Sequence, residues 1–331
     1  MRKEWLQKSA RRLGAVAMVL SVLSSCGPGL PTAPTSAKCQ VERAERKVRE
    51  ETFPYRKWMR PGARPDVVVI GLHGFGGATV DYANLGKYLV KHQPRTALYA
   101  YEVRGQGSDP KPARRGDIDD PRNWSRDLLA FTGLVRSRHP DAQVVWFGES
   151  MGGLILSRTY RAEVDAGRPA PCDALALSSP VVKIRDDFPV WKKELVRTAS
   201  KVAPVARIPL DALAGGEAVQ MTTNSNHQDQ SKTNSWNVES HTLRLLVTLG
   251  DMIEEMPENA SRFREPVLVL YGGQDFFTPA EDVVEFVRHV PGKTPVTRRY
   301  YPKAHHLLMY DAGKDEVIRD IGRWLNRLRR N

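Results

Sequence analysis

The stretch Val144-Val145-Trp146-Phe147-Gly148-Glu149-Ser150-Met151-Gly152-Gly153 runs an apolar strand into a glycine-flanked serine and then into a helix. Its centre, Gly148 to Gly152, has the Gly-x-Ser-x-Gly form of a strained strand-to-helix turn that lifts a serine hydroxyl off the top of a parallel sheet. Glycine suits both flanks because a Cβ would obstruct the close approach of strand and helix. Leu154 to Tyr160 supplies the helix, whose N-terminus beneath Ser150 favours developing negative charge. Ser150 is therefore the candidate nucleophile.

Outward from this turn, strand-like apolar runs alternate with helix-like segments. The strands are read at Val67 to Leu72, Ala97 to Val103, Val144 to Phe147, Ala174 to Ser178, Val267 to Tyr271 and Arg298 to Tyr301. Helices are read at Val80 to Lys91, Arg122 to Arg138, Gly153 to Glu163, Ala280 to His289 and Glu316 to Arg329, where apolar residues recur at three and four. Such alternation predicts an α/β fold, a mostly parallel sheet flanked by helices. It stops at Pro180 and resumes near Pro266, so residues 181–262 are read as a lid insertion between core segments 49–180 and 263–331. Within the insertion Phe188, Trp191, Leu195 and Val202 follow helical spacing. That stripe either faces a lipid surface or packs onto the core.

A serine hydroxyl needs a histidine base, itself oriented by a carboxylate, and its tetrahedral oxyanion needs fixed N–H donors. In a sheet of this kind the chain order is serine, acid, histidine. Asp275 follows the strand ending at Tyr271, and the Ala304-His305-His306-Leu307 segment follows the next strand. Spacing alone leaves His305 and His306 as alternatives. The Met151 amide, directly after the nucleophile, is one candidate oxyanion donor. The second is the Phe75 amide in His73-Gly74-Phe75-Gly76-Gly77, where glycines permit close backbone approach to a substrate; His73 is read as bracing that loop. No His/Cys cluster has metal-ligand spacing, and neither a metal nor another cofactor is expected.

These pieces, with Arg104-Gly105-Gln106-Gly107-Ser108 and Gly273-Gln274-Asp275, resemble the alpha/beta-hydrolase superfamily, and within it the monoglyceride lipase and bacterial lysophospholipase branch classed with serine aminopeptidase-like (S33) domains. The resemblance spans about residues 50 to 330. It implies the alpha/beta-hydrolase fold, a lid over an acyl-chain pocket, single-chain lipid esters as substrates, and His306 rather than His305 as the base. Glu102 and Gln106 stand where that branch has aspartate and histidine. An exopeptidase or amidase on the same frame, and a lipid-binding envelope lipoprotein without activity, are the competing functions.

Apolar residues at 41% and charged residues at 27% fit a globular body rather than a disordered or multiply membrane-spanning chain. The N-terminus differs. Arg2, Lys3, Lys8, Arg11 and Arg12 precede an apolar run from Leu13 to Leu23, the layout of an export signal, and Leu23-Ser24-Ser25-Cys26 resembles a bacterial lipobox. Residues 1–25 are read as a lipoprotein signal peptide, Cys26 as the lipidated (palmitate-bearing) residue, and 26–48 as a flexible tether to the membrane. Gly27 after the cysteine points to the outer membrane, facing the periplasm. The net charge of +12 carries no recognition helix or aromatic-interleaved basic cluster, so no nucleic-acid partner is expected, and the chain is read as a monomer. Cys39 and Cys172 remain as an even pair, open to a disulfide in that compartment.

Overall fold

A computed structural model of the chain describes residues 35–42, 48–184, 190–209, 219–223 and 235–329. The segment read as a signal peptide, Cys26, and the part of the expected tether up to residue 34 lie outside the described residues. In chain order the elements are β1 (Thr35–Glu42), β2 (Val48–Trp58), β3 (Val67–Leu72), α1 (Ala83–His92), β4 (Thr96–Tyr101), α2 (Arg122–Arg138), β5 (Gln143–Glu149), α3 (Met151–Asp165) and β6 (Ala174–Ser178). Then follow α4 (Val190–Val202), β7 (Arg207–Pro209), β8 (Ser240–Thr242), α5 (Leu243–Glu254), α6 (Met256–Ala260), β9 (Val267–Gly272), α7 (Ala280–Arg288), β10 (Val296–Tyr301) and α8 (Lys314–Leu328). Among the described residues no helix is long and apolar enough to cross a membrane.

Eight strands form one sheet in the order β1-β2-β4-β3-β5-β6-β9-β10. From β4 to β10 every pairing is parallel, while β1 and β2 join as antiparallel additions at one edge. Helices cover both faces, so β3 and β9 read as unbroken apolar runs and are buried along their length. At the far edge β10 alternates partly covered and exposed residues, including Arg298 and Arg299. Charge there discourages pairing with another chain.

The register decides where chemistry gathers. Leu72 at the end of β3 pairs with Gly148 near the end of β5, Glu149 with Ser178 of β6, and Ser178 with Leu270 of β9. The loops following β3, β5, β6 and β9 therefore emerge side by side at the carboxyl edge, the rim where ligands bind in open α/β sheets. Buried Tyr82 pins two of them, its hydroxyl lying 2.9 Å from both Leu72 O and Phe147 O.

One boundary is corrected. Residues 35–42 are not tether but a strand, with register running from Thr35 opposite Tyr55 to Glu42 opposite Val48. Cys39 and Val41 point inward against the core that also holds Phe53 and Tyr55. An edge hairpin buries one side only, and its alternation is diluted by Thr35, Ser36, Lys38 and Gln40, so the segment reads as polar linker. Cys39 and Cys172 are buried free thiols rather than a disulfide. Cys172 lies two residues before β6, five strands from β1 in the sheet order, or roughly 24 Å at about 4.8 Å per strand, well beyond a bridge.

The hairpin is tied to the loop after β4 by charge. Arg104 donates two bonds of 2.6 Å to Asp127 on α2, and its guanidinium also lies 3.5 Å from Glu51 on β2. Both partners of the Arg104–Asp127 pair are buried. Arg104→Met is expected to destabilise the fold by about 3–5 kcal/mol, because Asp127 is left as an uncompensated buried charge. Urea denaturation measures this; a loss below about 1 kcal/mol would mean that the pair contributes no more than a surface bridge.

Between β6 and β9 the chain carries α4, β7, β8, α5 and α6. Helix α4 docks on α5 through its charged side: Lys193 pairs with Glu254, and Arg197 lies 2.7 Å from Asp251. The described part of its apolar stripe does not pack onto the core, since Leu195 is 59% and Val202 85% exposed. Phe188 and the side chain of Trp191 lie outside the described residues. The root of α5 is fastened to the core by Arg244 and Thr242, both donating to Asp117.

Candidate active site

Ser150 occupies the turn between β5 and α3 at φ 51°, ψ −117°, a conformation that a side-chain-bearing residue adopts at a cost of order 1–3 kcal/mol. The neighbours leave no alternative path. A Cβ on Gly152 would lie 2.0 Å from Leu72 O, and one on Gly148 would lie 2.5 Å from the Gly152 backbone. The Ser150 amide donates to Ser178 O at 3.0 Å, fastening the turn to β6. The serine is 9% exposed, under cover but open to a small approach.

His306 and Asp275 meet across 31 residues of sequence. The carboxylate accepts only, so His306 Nδ1–H donates to Asp275 Oδ2 at 2.8 Å, which leaves Nε2 of the neutral ring as a proton acceptor. Asp275 Oδ1 accepts the Phe277 amide at 2.8 Å, which fixes the carboxylate's own orientation. Both side chains are buried, and Phe277 closes edge-on against the imidazole with ring centroids 4.7 Å apart. The two segments that hold serine and histidine meet at adjacent residues. Ser178 O takes the Ser150 amide, and Ser179 Oγ donates to His306 O at 2.6 Å. Ser179 sits at φ 44°, a second strained position on the same rim. His305, the neighbouring alternative, instead places Nδ1 3.1 Å from Asp311.

The loop from His73 to Gly77 lies against the serine. A Cβ on Gly74 would come 3.2 Å from Ser150 Cβ, so only glycine allows this approach. His73 does brace the loop: its Nε2 accepts the Val103 amide at 3.0 Å, which leaves Nδ1–H to donate to Gly74 O at 3.0 Å. The two residues that depart from the resembled pattern serve the same end. Gln106 Oε1 accepts the Gly76 amide at 3.0 Å, and Glu102 accepts Thr79 Oγ1–H at 2.7 Å and the Ser108 amide at 3.1 Å. His73 on Gly74 O and Gln106 on the Gly76 amide hold the Phe75 backbone between two anchored glycines, and Glu102 ties the turns beside them. The ring of Phe75 lies against His241 of β8, centroids 4.1 Å apart and planes tilted by 35°, so the β6–β9 segment touches this loop. Met151 opens α3 immediately after the serine, where the first amides of the helix have no intrahelical partner.

Sequence reading did not single out Glu149. Its carboxyl is fully buried, and neither oxygen has a hydrogen-bond partner among the described residues. Burial, reinforced by the nearby Asp81, pushes its pKa well above the usual carboxylate range. Burial thus favours the protonated, uncharged form of Glu149 beside the serine. The only signal for it was its place beside Ser150. Ser179 and Asp311 also escaped, and the former carried no local motif at all. No cluster of three or more metal-ligating side chains occurs among the described residues.

The sequence pattern of a hydrolase family described as "Serine aminopeptidase, S33" matches residues 63–313. A monoacylglycerol lipase of Mycolicibacterium smegmatis is 23% identical over 274 residues, 82% of this chain and 91% of its own. A proline iminopeptidase of Lactobacillus crispatus is 23% identical over 218 residues, 65% of this chain and 66% of its own. Among solved structures, a soluble variant of monoglyceride lipase from Saccharomyces cerevisiae superposes with a TM-score of 0.70 at 17% identity, covering 92% of this chain and 99% of that one. At that identity the likeness is one of fold.

Proposed function

The chain belongs to the hydrolase family described as serine aminopeptidase, S33, and on that premise we propose that it cleaves carboxylic esters of single-chain lipids, of monoacylglycerol or lysophospholipid type, through a Ser150-His306-Asp275 triad. The observation that carries the reading is the buried 2.8 Å His306–Asp275 pair, brought by the sheet to the rim that holds the strained serine. Ser150 Oγ attacks the ester carbonyl as His306 Nε2 takes its proton. Asp275 holds the imidazole in the Nδ1–H tautomer and stabilises the imidazolium that forms. The Phe75 and Met151 amides receive the oxyanion. His306 then protonates the leaving alcohol, and water repeats the cycle on the acyl-enzyme.

The lipid substrate class is supported by the likeness to a monoacylglycerol lipase over most of both chains. The same reading places the protein as a monomer on the periplasmic side of the outer membrane, held by lipid on Cys26. An exopeptidase reading draws on the family description and on the iminopeptidase relative, and would need an acid in the insertion to bind a substrate amine. Glu217 and Asp229 lie outside the described residues, and Glu239 is exposed.

A hydrolysis panel of monoacylglycerols, lysophospholipids, short p-nitrophenyl esters and aminoacyl amides, run beside fluorophosphonate labelling, tests the proposal. The expected result is labelling of the folded protein, with kcat/KM for the long-chain lipid esters at least about tenfold above that for amides. Amide cleavage exceeding ester cleavage overturns the substrate class. Absence of labelling with intact lipid recovered from the protein overturns the enzyme.

A further inference from the structure

The loop carrying His306 is held on both sides by groups that take no part in the proton path. Asp311, buried and five residues beyond the histidine, accepts the His305 amide at 2.5 Å and His305 Nδ1–H at 3.1 Å on Oδ2. Its Oδ1 accepts the Ala312 amide at 3.0 Å and, from across the insertion, the Thr223 amide at 2.7 Å. On the other side of the histidine, the Leu307 amide donates to Met221 O at 2.9 Å, again in the insertion. So the residue before His306 is fixed by Asp311, the residue after it by Met221, and Asp311 is itself fixed by Thr223.

We propose that Asp311 is a positioning residue that couples the insertion segment Met221–Thr223 to the His306 loop, so that this part of the insertion sets the geometry of proton transfer as well as covering the site. The inference rests on His306 being the general base. Asp311 is not a competing triad acid, because its oxygens are filled by three backbone amides and by His305, and Asp275 holds His306. Burial raises the pKa of such a carboxyl, but the amides of His305, Thr223 and Ala312 outweigh it and hold Asp311 at about 2. The anchor therefore stays ionised throughout the range in which the imidazole works.

The segment 221–223 cannot lift from the core without breaking the Thr223–Asp311 and Leu307–Met221 bonds, which would remove the insertion's two anchors from the histidine loop and leave Asp275 and Ser179 to hold His306. Any opening of the insertion that preserves activity hinges elsewhere.

Two variants separate this role from general stability. Asp311→Asn keeps the volume but turns an amide NH2 towards donors, whichever oxygen it replaces; Thr223→Pro removes both the N–H and the side chain by which the insertion bonds Asp311, leaving Asp311 itself intact. Steady-state kinetics on a short p-nitrophenyl ester, with amide hydrogen exchange on the same samples, reads the result. Asp311→Asn is expected to lower kcat by roughly 10- to 100-fold with KM within about twofold, since a displacement near 1 Å at the reacting groups costs on that order. Thr223→Pro should lower kcat about tenfold, and the double variant should be no slower than Asp311→Asn alone, because both cut one coupling. Exchange at the His305 and Leu307 amides should rise in both variants, whether or not the substrate assignment holds.

Parent-like kcat and exchange in folded Asp311→Asn overturns the proposal, as does a fully multiplicative loss in the double variant. Should Asp311→Asn fail to fold, parent-like kcat and exchange in Thr223→Pro overturn it equally. Faster exchange in a protein that cleaves none of the esters would keep the coupling and reject the function.

Discussion

Replacing Ser150 by alanine is expected to lower ester turnover by about 10⁶-fold, because members of a triad act as a unit and the remainder is what the oxyanion donors and binding alone supply. Alanine retains the Cβ that already fits beside Gly74 and the backbone strain that serine bears, so the elbow should persist. Thermal denaturation should therefore match the parent while kcat on p-nitrophenyl butyrate collapses and fluorophosphonate labelling disappears. A variant that kept more than about one per cent of parent turnover would place the nucleophile elsewhere and remove the mechanism.

The elbow could be read from sequence because its chemistry leaves few choices. Gly148 and Gly152 are demanded by backbone atoms 2.0–2.5 Å from where a Cβ would lie, and such clashes permit one residue type. The parallel strands were legible for a related reason. Val67 to Leu72 is buried on both faces, so nothing polar interrupts the run, and its expected and observed bounds coincide. Hairpin β1–β2 faces the core on one side only, and its inward Cys39 and Val41 are outnumbered by polar neighbours. Burial on one face leaves a period of two, too brief here to separate from a linker.

The remainder of the site was less legible because it is assembled by contacts distant in sequence. Strand order suggested Asp275 and a histidine after β10, but adjacent histidines have the same spacing; the family resemblance favoured His306, and the three-dimensional pairing puts His306 on Asp275 and His305 on Asp311. Ser179 reaches His306 across 127 residues and Thr223 reaches Asp311 across 88. Glu102 and Gln106 looked like departures that weaken a resemblance. In place they accept N–H and O–H groups from the His73–Gly77 loop and the turns beside it, so an acid and an amide carbonyl supply acceptors where the pattern differs.

Asp275→Asn should cost about 10⁴-fold in kcat, for a reason that the hydrogen bonds around Asp275 make specific. Oδ1 is claimed by the Phe277 amide at 2.8 Å and, more weakly, by Thr278 at 3.4 Å, so an asparagine there keeps its carbonyl oxygen on that side. Its NH2 group is then turned towards His306 Nδ1, which must accept rather than donate. The proton moves to Nε2, and the imidazole meets the serine hydroxyl with a donor instead of a base. Asp275→Ala imposes no tautomer, so it should be no slower than the asparagine variant although it removes more of the side chain. The comparison is made by measuring kcat/KM for both variants between pH 6 and pH 9, with folding checked by circular dichroism. An asparagine variant within about tenfold of the parent would mean that Asp275 does not orient the base, and the buried pair would then be a structural bridge.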